Sequence, residues 1–139
     1  MKALIVKIKS TQGLGKEKEV VEFWAEGKIR EENENIIISY LDNSVIEGAK
    51  VKTELTISGE DSITLERSGE ISSKLIIEKG VRNNCFYSVP EGSLILGIYG
   101  KEIKNTLKDL TGNIKMIYTL DADMHPISEN IVEISVSGR

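Results

Sequence analysis

The chain has 139 residues, one cysteine and a net charge of −4. That length suits one domain, 1–139, whose core needs no staple. Lone Cys85 excludes an intramolecular disulfide scaffold and points to a reducing, cytoplasmic setting, and the acidic balance argues against nucleic acid and anionic membrane surfaces as partners.

The amino-terminal apolar run Ala3 to Val6 stops at Lys7, too short for a signal-peptide core. No stretch reaches the length of a transmembrane helix. Val, Ile and Thr are plentiful and Ala is scarce, which favours strands. The periodicity agrees. Val21, Phe23, Ala25 and Ile29 alternate with Glu22, Glu26 and Lys28. Val51, Leu55 and Ile57 alternate with Lys52, Glu54 and Thr56, and Val132, Ile134 and Val136 alternate with Glu133, Ser135 and Ser137. A period of two sends one set to a core and the other to water.

In chain order the pattern predicts strands over 3–10, 18–30, 35–42, 49–58, 62–67, 71–78, 83–89, 93–100, 102–108, 113–121 and 129–137. A short helix, if any, is expected near Val45 to Ala49. Asn33-Glu34-Asn35, Ser58-Gly59-Glu60-Asp61, Ser68-Gly69-Glu70, Lys79-Gly80, Pro90-Glu91-Gly92, Thr111-Gly112-Asn113 and Asp123-Met124-His125-Pro126 mark the reversals. Ile103, Leu107 and Leu110 have helical spacing, but the segment is read as a strand that turns back through Gly112. So many antiparallel strands leave exposed edges unless they close. The expected fold is therefore an all-β antiparallel meander closed into a barrel of about eight to ten strands, with a two-sheet sandwich as the alternative.

The carboxyl-terminal half carries a resemblance. Glu66-Arg67-Ser68-Gly69-Glu70, Tyr87-Ser88-Val89-Pro90-Glu91-Gly92, the run Gly112 to Leu120 and the segment Ser128 to Val136 resemble the YwiB-like family of small bacterial proteins, a domain of unknown function. Val89 departs from that family's usual threonine. The resemblance implies a calycin-like (lipocalin-like) β-barrel and implies no reaction, substrate or cofactor.

The residues themselves offer little catalytic chemistry. Phosphate-binding glycine loops, a Gly-x-Ser-x-Gly elbow and Cys-x-x-Cys are all missing. One histidine and one cysteine cannot make a usual zinc site within one chain. Asp121-Ala122-Asp123-Met124-His125 is the one metal-like string, and it reads more simply as a turn. No cofactor and no enzymatic activity are expected.

Arg67 shares parity with Ile63 and Leu65, so it faces the apolar side of its strand. A desolvated guanidinium requires a partner. The commoner partner is a backbone carbonyl or carboxylate at a barrel rim; the alternative is a ligand's anionic group. Tyr118 shares a face with Ile114, Met116 and Leu120. Trp24 shares parity with Glu22 and Glu26 and is a candidate for partner binding.

Two uses follow. The first is a noncatalytic barrel that binds a small amphiphilic or apolar ligand, with Arg67 for an anionic head, Tyr87 and Tyr118 for orienting hydrogen bonds, and Leu65, Leu96 and Met116 as walls. The second is a filled barrel serving as a protein-interaction or structural module through Trp24. An interior cavity above roughly 300 Å³ favours the first; a solid interior with Trp24 in an exposed apolar patch favours the second. The sequence carries no marker of oligomeric state.

Overall fold

The structure is a computed structural model, and it describes residues 2–42, 51–69, 72–89, 92–109 and 111–138. Ten strands form in chain order: β1 (Lys2–Leu14), β2 (Glu17–Glu32), β3 (Asn35–Asp42), β4 (Val51–Ser58), β5 (Ser62–Ser68), β6 (Ser72–Glu78), β7 (Arg82–Val89), β8 (Gly92–Asn105), β9 (Gly112–Ala122) and β10 (His125–Gly138). Each pairs antiparallel with its neighbour in sequence. β1 then pairs with β10 from Leu4↔Gly138 to Gly13↔Glu129, so the meander closes into a barrel and the sandwich is set aside. Closure leaves no unpaired edge strand, which answers the physical problem posed by so many strands. No helix occurs among the described residues. The helix expected near Val45 to Ala49 lies outside them.

Alternation sets the two faces. Leu4, Val6 and Ile8 point inward on β1 while Lys7 and Lys9 point to water; β4 and β6 alternate the same way. Two reversals are made by residue pairs with positive φ: Asn33 and Glu34 (51° and 70°), and Asp123 and Met124 (52° and 67°). Left-handed conformation at both central positions matches the twist of the flanking strands.

The expected strands 93–100 and 102–108 are instead one strand, β8. Its pairing with β9 shifts between Gly100 and Glu102, because Lys101 is an extra, unpaired residue. The bulge changes the parity: Leu96 and Ile98 face inward before it, Ile103 after it. A chain that switches phase reads as two strands. Gly100 is required here, since a Cβ would strike the backbone carbonyl of Glu78. The β6–β7 tip packs onto this point, where Gly80 N–H donates to Gly100 O at 2.8 Å. β1 also runs longer than expected, because its last residues before the β1–β2 hairpin are not buried and lack the alternation that marks strands, while β2 runs on to Glu32 and β10 begins at His125.

One seam is incompletely laddered. β6 and β7 exchange only Ser72↔Ser88 and Ser73↔Tyr87 as registered partners. Below these pairs, side chains replace the ladder: Ile76 N–H donates to Cys85 Sγ at 3.3 Å, and Asn83 Nδ2 donates to Ile76 O at 3.3 Å and Glu78 Oε1 at 3.1 Å. Asn83→Ala removes two donors from a half-buried position. It is expected to destabilise the fold by about 1 kcal/mol and to speed amide exchange at 74–77 above that of the β4–β5 pair. Equal exchange in both segments contradicts the seam's dependence on side chains.

The barrel's two ends differ. At the end bearing the β2–β3, β4–β5 and β6–β7 turns, Leu4, Val6, Ile29, Ile38, Ile57, Ile63 and Ile77 are almost wholly buried and make a solid core. At the other end the interior holds polar side chains and a cavity.

Candidate functional site

Directly opposed residues of an antiparallel pair point to the same face. One interior row therefore runs Gly27, Tyr40, Thr53, Arg67, Ser73, Tyr87 and Leu94, from β2 round to β8. Nearer the solid core runs the apolar row Ile38, Leu55, Leu65 and Leu75. On the facing wall, Tyr118 opposes Asn130, which opposes Gln12; Met116 opposes Val132, which opposes Ser10. These rows enclose a cavity of about 570 Å³. Half-exposed Leu94 and Ile127 stand at its mouth, where the interior meets solvent.

The cavity is amphipathic along its depth. Arg67, Tyr40, Tyr87, Tyr118 and Asp42 occupy the mouth side, and Leu55, Leu65, Leu75, Leu96 and Met116 form the deeper wall. Burial pushes the Tyr40 hydroxyl well above the ordinary tyrosine range and raises that of Tyr118, with the Arg67 guanidinium pulling the other way in both. Both phenols stay neutral at physiological pH and can donate or accept a hydrogen bond. Asp42 acts against Tyr40 ionisation as well. The Tyr40 ring lies tilted against Phe23, with centroids 6.4 Å apart. Asn130 Nδ2 donates to Ser128 Oγ at 3.1 Å, satisfying one buried polar pair.

Arg67 Nε is buried with no hydrogen-bond partner among the described residues, and Ser73 Oγ is in the same condition. All six residues expected to line a pocket (Leu65, Arg67, Tyr87, Leu96, Met116 and Tyr118) do surround this one cavity. Tyr40, Asp42, Thr53, Ser73 and Asn130 belong to the same interior and were not singled out from the sequence. The signal for them was the parity that marked Arg67: Ser73 is in phase with Leu75 and Ile77, and Asn130 with Val132 and Ile134.

Trp24 is elsewhere. It points outward, 64% exposed, directly opposite Lys7. With Lys9, Glu22 and Glu133 it borders a shallow groove on the outer surface of β1, β2 and β10.

The string Asp121 to His125 forms the β9–β10 turn. Asp121 faces outward and takes a forked pair of hydrogen bonds from Arg82, with Nε to Oδ2 at 3.0 Å; it also accepts from Met124 N–H at 3.3 Å. Among the described residues no three His, Cys, Asp or Glu side chains converge as a metal site. Gly97, between the two partners, leaves the guanidinium room to cross, since a Cβ there would overlap it. The Arg82 hydrogen bond holds the Asp121 carboxyl below its ordinary value. A carboxyl lowered by folding contributes stability above its unfolded pKa and loses it as pH falls through the folded value. In Arg82→Gln the carboxyl titration followed by NMR should move up toward the ordinary value; an unchanged midpoint would show that the pair does not hold it.

Among the described residues no helix is long and apolar enough to cross a membrane. A search of curated proteins finds no match. The crystal structure of the ywiB protein from Bacillus subtilis superposes with a TM-score of 0.88 at 22% identity, covering 99% of this chain and 92% of that one. At that identity the likeness carries the fold alone. A family model matches residues 6–134, nearly the whole barrel and every strand of the cavity, and on that match the chain belongs to the family described as a domain of unknown function, DUF1934.

Proposed function

We propose that the protein is a noncatalytic binding barrel, calycin-like in use, that takes one small amphiphilic molecule into its open end. The observation that carries this reading is an amphipathic cavity of about 570 Å³ beside a solid core. A small ligand pocket of roughly 300–1,000 Å³, mostly apolar with a few polar groups, is the usual form of such sites. Side chains fill the far half of this barrel, so the hollow half is not a consequence of strand number alone.

The carrying residues are Arg67, Tyr87 and Tyr118 at the polar side and Leu65, Leu96 and Met116 at the wall. The outward strand faces bear lysine and glutamate rather than an apolar band, which favours an aqueous setting over a lipid one. A free, buried thiol at Cys85 goes with a cytoplasmic location.

A second reading rests on Trp24. An exposed tryptophan beside Lys7 and Lys9 has the chemistry of an interface anchor, and a protein partner would meet the barrel there without entering it. Native mass spectrometry of the freshly purified protein separates the two. A bound organic molecule of a few hundred daltons, released by solvent extraction, is the expected result. A mass equal to the bare chain, together with no saturable binding of the neutral dye N-phenyl-1-naphthylamine, would overturn the binding-barrel reading.

A further inference from the structure

We propose that the ligand is a medium-chain monocarboxylate, its carboxylate held between Arg67 and Ser73 and its chain directed toward Leu65 and Met116. The inference rests on the binding-barrel reading and adds head-group chemistry, orientation and size.

Among the described residues, two buried side-chain polar atoms lack a hydrogen-bond partner: Arg67 Nε and Ser73 Oγ. They are not scattered. Arg67 and Ser73 are directly opposed on β5 and β6, so both side chains enter the interior at one level. Ser73 is only 6% exposed. Buried polar groups are almost always satisfied, and leaving one unmet is costly. Two unmet donors side by side share one missing partner, an acceptor. A carboxylate has two oxygens in one plane and can take Nε–H on one and Oγ–H on the other.

Charge selects the kind of acid. Among the described residues Arg67 is the one cation on the cavity lining, which also carries Asp42 and Glu19. Every negative charge on a ligand adds to those two carboxylates, so a monoanion is favoured over a dianionic phosphate. Tyr87, opposite Ser73, and Tyr40 supply hydroxyls at the same level. The leucines lie on the solid-core side of this row, so the chain enters first and the head stays near the mouth. At roughly 30 Å³ per non-hydrogen atom the cavity holds at most about 19 of them, and the looser filling of real pockets suggests a chain of about ten carbons.

The test is displacement of N-phenyl-1-naphthylamine by decanoate, decan-1-ol and decyl phosphate. In the wild type, decanoate should compete at a concentration at least tenfold lower than decanol and lower than decyl phosphate. That ratio should fall below threefold in Arg67→Gln and drop measurably in Ser73→Ala. Each ratio is internal to one variant, so it does not depend on how well that variant holds the dye. Decanol matching decanoate in the wild type, a ratio that survives Arg67→Gln, or decyl phosphate as the best competitor would each overturn the head-group assignment while leaving the cavity intact. A wild type that binds no dye at all would sink the binding-barrel reading itself.

Discussion

Ile57→Ala should destabilise the protein by about 3 kcal/mol, whereas Leu65→Ala, an apolar truncation of similar size on the next strand, should cost about half as much. Both side chains face inward, and Leu65 opposes Leu55, two positions along β4 from Ile57. Their surroundings differ. Ile57 lies in the solid half, where atoms contact it from every side and truncation leaves a void that rigid neighbours cannot fill. Leu65 borders the cavity, so truncation there opens onto existing space and leaves no closed void. Urea denaturation with an unchanged slope gives both values. Equal losses would mean that the interior is uniformly packed.

The second large effect concerns binding. Leu65→Trp combined with Met116→Trp should lower affinity for N-phenyl-1-naphthylamine at least tenfold, at a modest cost in stability. Both positions line the cavity, from β5 and β9. Extra volume in a well-packed core forces strain of about 1–3 kcal/mol. Leu65 and Met116 are themselves almost wholly buried, so the urea midpoint should fall by no more than that strain while the indoles intrude on the cavity. Undiminished dye binding by a stably folded double variant would place the dye outside the barrel.

Much of this architecture was legible as alternation. On β4, Val51, Thr53, Leu55 and Ile57 keep phase without interruption, and the strand came out within two residues of its expected span. Arg67 was legible for the same reason, since nothing breaks the phase between Ile63 and Arg67. Where phase breaks, reading fails. Lys101 bulges out of β8 and divides one strand into two apparent ones, and nothing local in Gly100-Lys101-Glu102 announces it. The requirement for glycine comes instead from Glu78, 22 positions earlier in the chain, whose carbonyl crowds the spot.

The site was legible only in part. Parity placed individual residues inside, and all six chosen residues share one cavity. Parity does not say which inward residues stand at the same level. That Arg67 meets Thr53 on one side and Ser73 on the other follows from register, which turn geometry sets. Nor could composition say whether the interior is hollow. Differences in side-chain volume round the wall decide that, and hydrophobic pattern is blind to them. Among the described residues Arg67 Nε has no hydrogen-bond partner, which parity alone did not foretell.

Methyl-resolved NMR during titration with N-phenyl-1-naphthylamine bears most directly on the hollow mouth-side half. Saturable shifts should appear at Leu65, Leu96 and Met116 methyls, with Val6 and Ile57 unmoved. Shifts confined to the outer surface around Trp24, or none that saturate, would contradict it.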